Sequence, residues 1–213
     1  MASLHLQGVK KLLCVGAHSD DIEIGCGATV LRLIQEHPDL QIYWLIFSAQ
    51  GTRAREAKAS AGEFLRGVRA RQIRTMTYRE SYFPEEWSRI KDTFERVRRS
   101  FEPDLVLTHY RDDRHQDHRV LSDLAWNTFR NHLVLEYEIP KYDGDLGLPN
   151  VYVPVLHELC ERKVSLLLRH FRSQKDKHWF TADTFWALLR LRGIECASSA
   201  RFAEAFYGRK LSL

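Results

Sequence analysis

Two short groups of histidine and aspartate are the residues of this 213-residue chain best suited to chemistry. The first group, His18-Ser19-Asp20-Asp21, directly follows the apolar run 12–17, and the second group spans Asp113 to His118 after another apolar run. Catalytic zinc sites take three such side chains as ligands and leave one coordination position for water. The two groups therefore predict a metal site assembled from distant parts of the chain.

The residue types suggest a separate role for each side chain at this site. We assign His18, Asp21 and His118 as metal ligands, a set that suits Zn²⁺, with Fe²⁺ as the alternative because it accepts similar ligands. Asp20 cannot easily bind the same ion beside Asp21, so we expect it to act as the general base.

His115, Asp117 and His109 complete the candidate site. His115 lies three residues before His118, so both rings can face one site, and His115 is free to hydrogen-bond a developing oxyanion. Asp117 is expected to hold one of these two imidazoles, His115 or His118, in its useful tautomer. His109, at the end of an apolar run, is a candidate pocket residue.

The elements that must position these residues can be read from hydrophobic periodicity. The predicted strands cover 11–17, 42–47, 73–78, 105–109, 134–139 and 151–155, and the predicted helices cover 25–37, 53–66, 84–100, 117–132, 156–171 and 180–192. This alternation predicts an α/β fold with a mostly parallel sheet and helices on both faces. In such sheets ligands bind at the carboxyl ends of strands, which is where both groups fall.

Composition excludes several classes of protein. The hydrophobic fraction of 44% and charged fraction of 28% are ordinary for a globular domain, and the length fits a single domain. No apolar run reaches the ~18 residues of a membrane span. Residues 1–7 lack the basic start and long apolar stretch of a signal peptide, so we expect a cytoplasmic protein. The four cysteines have no CxxC spacing and are expected to be reduced.

Basic residues cluster within a net charge of +4. The clusters are either solvated helix faces or a surface that attracts an anionic substrate, and they comprise Arg66, Arg69, Arg71, Arg74, Arg96, Arg98 and Arg99. No nucleic-acid-binding motif accompanies them, so a nucleic-acid partner is not expected.

The segment from Tyr142 to Gly147 either covers the site or is a plain surface connection.

The motifs resemble those of one family. Residues 17–29, AHSDDIEIGCGAT, look like the AHPDDxEIGxGGT signature of the LmbE/PIG-L-like zinc-dependent N-deacetylases, and residues 115–118, HQDH, match that family's HxDH motif. Residues 53–56, 170–174 and 202–206 also resemble family segments, so the likeness spans nearly the whole chain. Ser19 and Gln116 stand where proline is frequent, and neither change removes a ligand.

The resemblance implies a Rossmann-like three-layer sandwich, with residues 1–213 forming a single deacetylase domain. It also implies hydrolysis of an N-acetyl group on an amino sugar, usually N-acetylglucosamine in a small-molecule conjugate. Carried over residue by residue, it gives His18, Asp21 and His118 as metal ligands, Asp20 as base, His115 at the oxyanion and Arg53 as a substrate contact.

Other functions stay open at this point. One is a different metal-dependent hydrolase of amides or phosphoesters, and another is an inactive relative that only binds sugar. The presence of Asp20 argues against the second, because a binding protein has no need of a general base. A nucleotide-cofactor enzyme is disfavoured, since the stretch from Gly25 to Gly27 lacks the third glycine of GxGxxG. The pathway, the identity and charge of the conjugate, and homo-oligomer formation are left open.

Overall fold

The structure, a computed structural model, describes residues 8–211. Its strands are β1 Lys11–Gly16, β2 Gln41–Ile46, β3 Arg71–Thr75, β4 Leu105–His109, β5 Leu133–Tyr137, β6 Val151–Val155 and β7 Phe202–Gly208. Its helices are α1 Asp21–Glu36, α2 Gly51–Phe64, α3 Trp87–Ser100, α4 Gln116–Thr128, α5 His157–His170 and α6 Ala182–Glu195, with 3₁₀ segments at Phe83–Glu86 and Arg172–Gln174. Residues 1–7, on which the expected lack of a signal peptide depends, lie outside the described residues.

Within residues 8–211 the strands form one sheet in the order β3-β2-β1-β4-β5-β7-β6. Strands β1 to β5 pair in parallel, whereas β7 is antiparallel to both β5 and β6. The predicted mostly parallel α/β sheet is therefore confirmed. Strand β7 was not predicted, because its alanines and Glu204 are residue types that strands disfavour.

The sheet order creates a crevice between β1 and β4. After β1 the chain builds β2 and β3 on one side, and it then crosses to build β4 and β5 on the other. Such a switch opens a crevice at the carboxyl ends of the two adjacent strands. The segments that leave β1 and β4 carry the two His/Asp groups, so the topology brings together His18 and His118, which lie 100 residues apart in the chain.

Helices cover both faces of the sheet. Side chains alternate along β1, so Leu12 and Cys14 join a core with α1, α2, α5 and α6, while Leu13 and Val15 join a core with α3 and α4. The expected three-layer arrangement is confirmed. In the described part of the chain, every helix falls short of the length or apolar character that crossing a membrane requires.

Helix α1 is broken close to the site. Cys26 has non-helical backbone angles, φ −144° and ψ 15°, and the helix begins at Asp21, earlier than the predicted start at Gly25. The glycines beside the break permit close packing, because a Cβ at Gly25 would overlap the ring of Tyr137. The glycines of the first motif therefore serve the packing of α1 against its neighbours.

A buried ion pair satisfies the backbone groups that the break releases. The Lys163 ammonium donates to the Ile24 carbonyl at 2.6 Å and to Glu204 at 2.6 Å. The Glu204 carboxylate accepts from the N–H groups of Ala28 at 3.0 Å and Thr29 at 2.6 Å. Lys163 thus binds a free carbonyl at the end of the first half of α1, and Glu204 caps the start of its second half. Together they fix the direction of the first half, which carries Asp21.

We expect Lys163→Met to lower the free energy of unfolding by about 3–5 kcal/mol, because Glu204 would remain as a buried charge without its cation. Urea unfolding measures this change. The matched control is Glu36→Gln, which removes the exposed partner of Arg32 and should cost less than about 1 kcal/mol. A loss at Lys163 no larger than in the control would contradict the role given to the buried pair.

Candidate metal centre

The side chains of His18, Asp21 and His118 meet in the crevice between β1 and β4. His18 Nδ1 lies 3.3 Å from Asp21 Oδ2 and 3.2 Å from His118 Nε2. The third distance, from Asp21 Oδ2 to His118 Nε2, is 3.6 Å. A tetrahedral ion with bonds of about 2.0–2.1 Å holds its ligand atoms roughly 3.3–3.4 Å apart. The three donor atoms therefore have the spacing of one face of a tetrahedral metal site.

The outer nitrogen of each imidazole contacts a buried carboxylate. Asp117 Oδ2 lies 3.1 Å from His18 Nε2, and Asp113 Oδ2 lies 2.8 Å from His118 Nδ1. An ionised carboxylate only accepts hydrogen bonds, so a neutral ring carries its proton on this outer nitrogen. The inner nitrogens of the neutral rings then direct their lone pairs at the same point as Asp21, an arrangement that suits a cation.

Electrostatics favour a positive charge at this point. Burial alone would lower the pKa of His18, but the charge of Asp21 and hydrogen bonds to Asp117 and Asp21 raise that pKa to about 10. Burial and the neighbouring His109 lower the pKa of His118 to about 3. The surroundings of His18 thus favour a positive charge, which a divalent cation can supply in place of a proton.

The described residues contain two overlapping groups whose ligand atoms lie within 4.8 Å of one another: His18, His115 and His118, and Asp21, His109 and His118. His109 is fully buried and stacks on His118 with ring centroids 3.9 Å apart. Its Nε2 lies 3.2 Å from Asp21 Oδ2 and accepts from the N–H of Ala17 at 2.9 Å. His109 therefore packs directly against Asp21 and His118 from the end of β4.

Asp20 lies beside this cluster with its carboxylate unused. It occupies the position before α1, yet its side chain makes no capping hydrogen bond. In the described part of the chain, its charged contact is Arg53, with Nη2 at 3.9 Å from Oδ1. Burial and the neighbouring charge of Asp21 raise the pKa of Asp20 to about 6. Such a carboxylate can accept a proton near neutral pH.

His115 caps the start of helix α4, and Asp117 lies in its first turn. The His115 ring lies 4.8 Å from that of His18 and 4.6 Å from that of His118, between centroids, so all three imidazoles face one site. His115 Nδ1 accepts from the N–H of Asp117 at 3.2 Å. Burial and the charge of His18 lower the pKa of His115, so its neutral ring carries a proton on Nε2 and can donate it in a hydrogen bond.

The Asp117 carboxylate contacts His18, an imidazole of the first group, whereas the expected contact was with His115 or His118. Its carboxylate lies against His18 and also accepts from the N–H groups of Ser81 at 2.6 Å and Phe83 at 3.1 Å. Burial alone would raise the pKa of Asp117, but the hydrogen bonds from His18, Ser81 and Phe83 lower it. Asp117 is thus an ionised acceptor that can orient His18.

Arg53, the expected substrate contact, lies at the rim of the site on α2. It donates to Ser19 Oγ at 3.1 Å and to Glu80 Oε2 at 2.5 Å, and a quarter of its side chain is exposed. Its role toward substrate stays a prediction.

The seven clustered arginines are all exposed, which favours solvated surfaces. They are Arg66, Arg69, Arg71, Arg74, Arg96, Arg98 and Arg99.

The structure adds two residues to the site that had no assigned role. Asp113 holds His118, and its position five residues before His118 within the second group is the signal that could have identified it. Burial alone would raise the pKa of Asp113, but His118 and Lys141 hold it well below its usual range. Lys141 lies 3.0 Å from Asp113 and belongs to no motif, so only the fold reveals it.

Comparison with known families identifies one match. The model of the PIG-L family, described as GlcNAc-PI de-N-acetylase, matches residues 13–129. This segment is more than half of the chain, and it contains both His/Asp groups together with Arg53.

Solved structures share the fold at low sequence identity. N,N'-diacetylchitobiose deacetylase from Pyrococcus horikoshii is 21% identical with a TM-score of 0.71, covering 95% of this chain and 85% of its own. The zinc-inhibited form of teicoplanin deacetylase Orf2 is 17% identical with a TM-score of 0.71, covering 93% and 97%. GalB, the 4-carboxy-2-hydroxymuconate hydratase from Pseudomonas putida KT2440, is 17% identical with a TM-score of 0.72, covering 96% and 98%.

We expect His118→Ala to lose the divalent metal that the unaltered chain retains, because one of three converging donors disappears. Elemental analysis after dialysis against metal-free buffer measures the bound metal. His37→Ala is the matched control, since His37 ends α1 away from the cluster and should leave the metal content unchanged. A full complement of metal in His118→Ala would show that the ion binds elsewhere.

Proposed function

This chain belongs to the PIG-L family of GlcNAc-PI de-N-acetylases, and from that premise we propose that it is a zinc-dependent hydrolase that removes the N-acetyl group from an amino sugar in a conjugate. The observation that carries the proposal is the triangle of donor atoms from His18, Asp21 and His118, with edges of 3.2–3.6 Å. The fold alone does not choose the reaction, because a hydratase shares it.

The donor set fits a metal ion. His18, Asp21 and His118 would hold it, and two imidazoles with one carboxylate suit Zn²⁺, with Fe²⁺ as the alternative. When bound, such an ion supplies Lewis-acid polarisation of the amide carbonyl and lowers the pKa of the attacking water. Asp117 and Asp113 keep the two imidazoles oriented through their outer nitrogens.

Asp20 acts as the base in this proposal. Its carboxylate takes a proton from water as the water oxygen attacks the carbonyl carbon of the acetamide. His115 donates its Nε2–H to the oxygen that gains negative charge, which stabilises the tetrahedral state. The carbon–nitrogen bond then breaks, and the proton held on Asp20 passes to the amine nitrogen. The products are acetate and the free amino sugar.

Arg53 is the proposed substrate contact. Its guanidinium lies between Asp20 and Glu80 at the rim and keeps part of its surface exposed. A guanidinium can donate to sugar hydroxyls or to an anionic group of the conjugate. The proposed partner is therefore a small-molecule N-acetylated sugar conjugate.

We expect the zinc-loaded protein to release acetate and an equal amount of free amine from N-acetylglucosamine conjugates, and chelation should stop both until zinc is restored. Enzymatic acetate determination and an amine-reactive dye measure the products. N-acetylated amino acids and sugar phosphates serve as comparison substrates. Release of phosphate would favour a phosphoester hydrolase, and cleavage of the amino acids alone would favour another amidase. A protein that binds zinc and sugar yet releases no acetate would be the inactive relative.

We expect Asp20→Asn to lower kcat by about 10²–10⁴-fold while zinc stays bound, because the amide cannot accept the proton from water. Steady-state kinetics and elemental analysis give the two quantities. Asp39→Asn, at an exposed position between α1 and β2, is the matched control and should keep full activity. Full turnover in Asp20→Asn with unchanged zinc content would refute the assignment of the base.

A further inference from the structure

Lys141 lies in the connection 138–150 between β5 and β6, and its ammonium group is enclosed by two carboxylates. Nζ lies 3.0 Å from Asp113 Oδ2 and 2.5 Å from Asp145 Oδ2. Only 8% of the side chain is exposed. Lysine is seldom buried unless it is paired, so this position requires a specific partner.

Asp113 is one of the two partners of Lys141, and it is also the carboxylate that holds His118. The same oxygen, Oδ2, contacts Lys141 Nζ and His118 Nδ1, the latter at 2.8 Å. The other oxygen accepts from the N–H of His115 at 2.7 Å. Among residues 8–211, Lys141 is the only lysine or arginine whose charged group contacts this carboxylate. The ammonium therefore fixes the group that orients a proposed metal ligand.

Other contacts anchor the same connection to the rest of the protein. Asp145 Oδ2 accepts from the N–H of Arg114 at 2.7 Å, in the segment that leads into α4. Further along, the Gly147 carbonyl accepts from Arg192 at 3.2 Å, and the Arg192 guanidinium pairs with Glu138 at 2.7 and 2.9 Å. The connection 138–150 is thus tied at both ends, and Lys141 is its link to the site.

We propose that Lys141 is a positioning residue that strengthens metal binding through Asp113 and couples the metal centre to the connection 138–150. This inference rests on the proposed function in one respect, namely that His118 is a metal ligand. By contact and charge, Lys141 keeps Asp113 directed at Nδ1 of His118. The Nε2 lone pair of that ring then stays aimed at the point shared with His18 and Asp21.

The coupling acts in both directions. If the contact between Lys141 and Asp113 favours metal binding, then bound metal must stabilise that contact by the same free energy. Zinc should therefore slow hydrogen exchange at the amides of 138–150, although the connection supplies no proposed ligand. A lysine that only stabilised the fold would change unfolding without changing zinc affinity, and zinc would protect 138–150 equally with and without that lysine.

The test is zinc affinity, measured on the full chain by competition with a chromophoric chelator, which does not depend on turnover. We expect Lys141→Met to weaken zinc binding by about 10–100-fold. Lys141→Arg should recover most of the affinity, because a guanidinium can bridge two carboxylates. Lys58→Met, on the exposed surface of α2, is the matched control and should bind zinc as the unaltered chain does.

Hydrogen exchange with and without zinc is the second measurement. We expect zinc to protect 138–150 in the unaltered chain and to protect it less in Lys141→Met. Zinc affinity of Lys141→Met equal to that of the unaltered chain would overturn the inference. If that variant does not fold, Asp145→Asn replaces it: weaker zinc binding and faster exchange support the coupling, and unchanged values overturn it. An unaltered chain that binds no zinc would instead refute the proposed function.

Discussion

The structure depends on one electrostatic constraint: two imidazole nitrogens and a carboxylate oxygen point at one another from 3.2–3.6 Å inside a buried crevice. Electron-rich atoms at this spacing are stable only with a positive charge among them. The protein prevents the rings from turning away, because Asp117 and Asp113 hold their outer nitrogens. This concentration of electron-rich atoms is what makes the site a candidate centre for a cation.

Buried charges elsewhere in the chain serve the same arrangement. Lys163 and Glu204 close the two halves of the broken helix α1, and that helix presents Asp21. Lys141 fixes Asp113, which in turn holds His118. Each of these charges is paired, because an unpaired charge in the interior would cost several kcal/mol. Buried ion pairs on two sides of the site, Lys163–Glu204 and Lys141–Asp113, thus help to hold its side chains in place.

The fold of this protein does not by itself determine its reaction. A doubly wound sheet places whatever follows β1 and β4 into one crevice, and structures of this fold include both deacetylases and a hydratase. The reaction therefore depends on the side chains in the crevice. Among them, Asp20 is a buried carboxylate that neither caps its helix nor accepts a hydrogen bond within residues 8–211, and this observation underlies its proposed role as the base.

The sequence pattern was sufficient to predict the parallel sheet, its covering helices and the position of both His/Asp groups at strand ends. Apolar periodicity and motif spacing are properties of neighbouring residues, so they can be read from the sequence. The sequence pattern did not predict strand β7, because alanine and glutamate are uncommon in strands, or the early start of α1, because Gly25 and Gly27 lie within that helix. Only the tertiary structure decided that Asp117 contacts His18, that Glu204 caps α1, and that Lys141 holds Asp113. These pairings join residues far apart in the chain, so they exist only after the sheet has closed and buried their charges together.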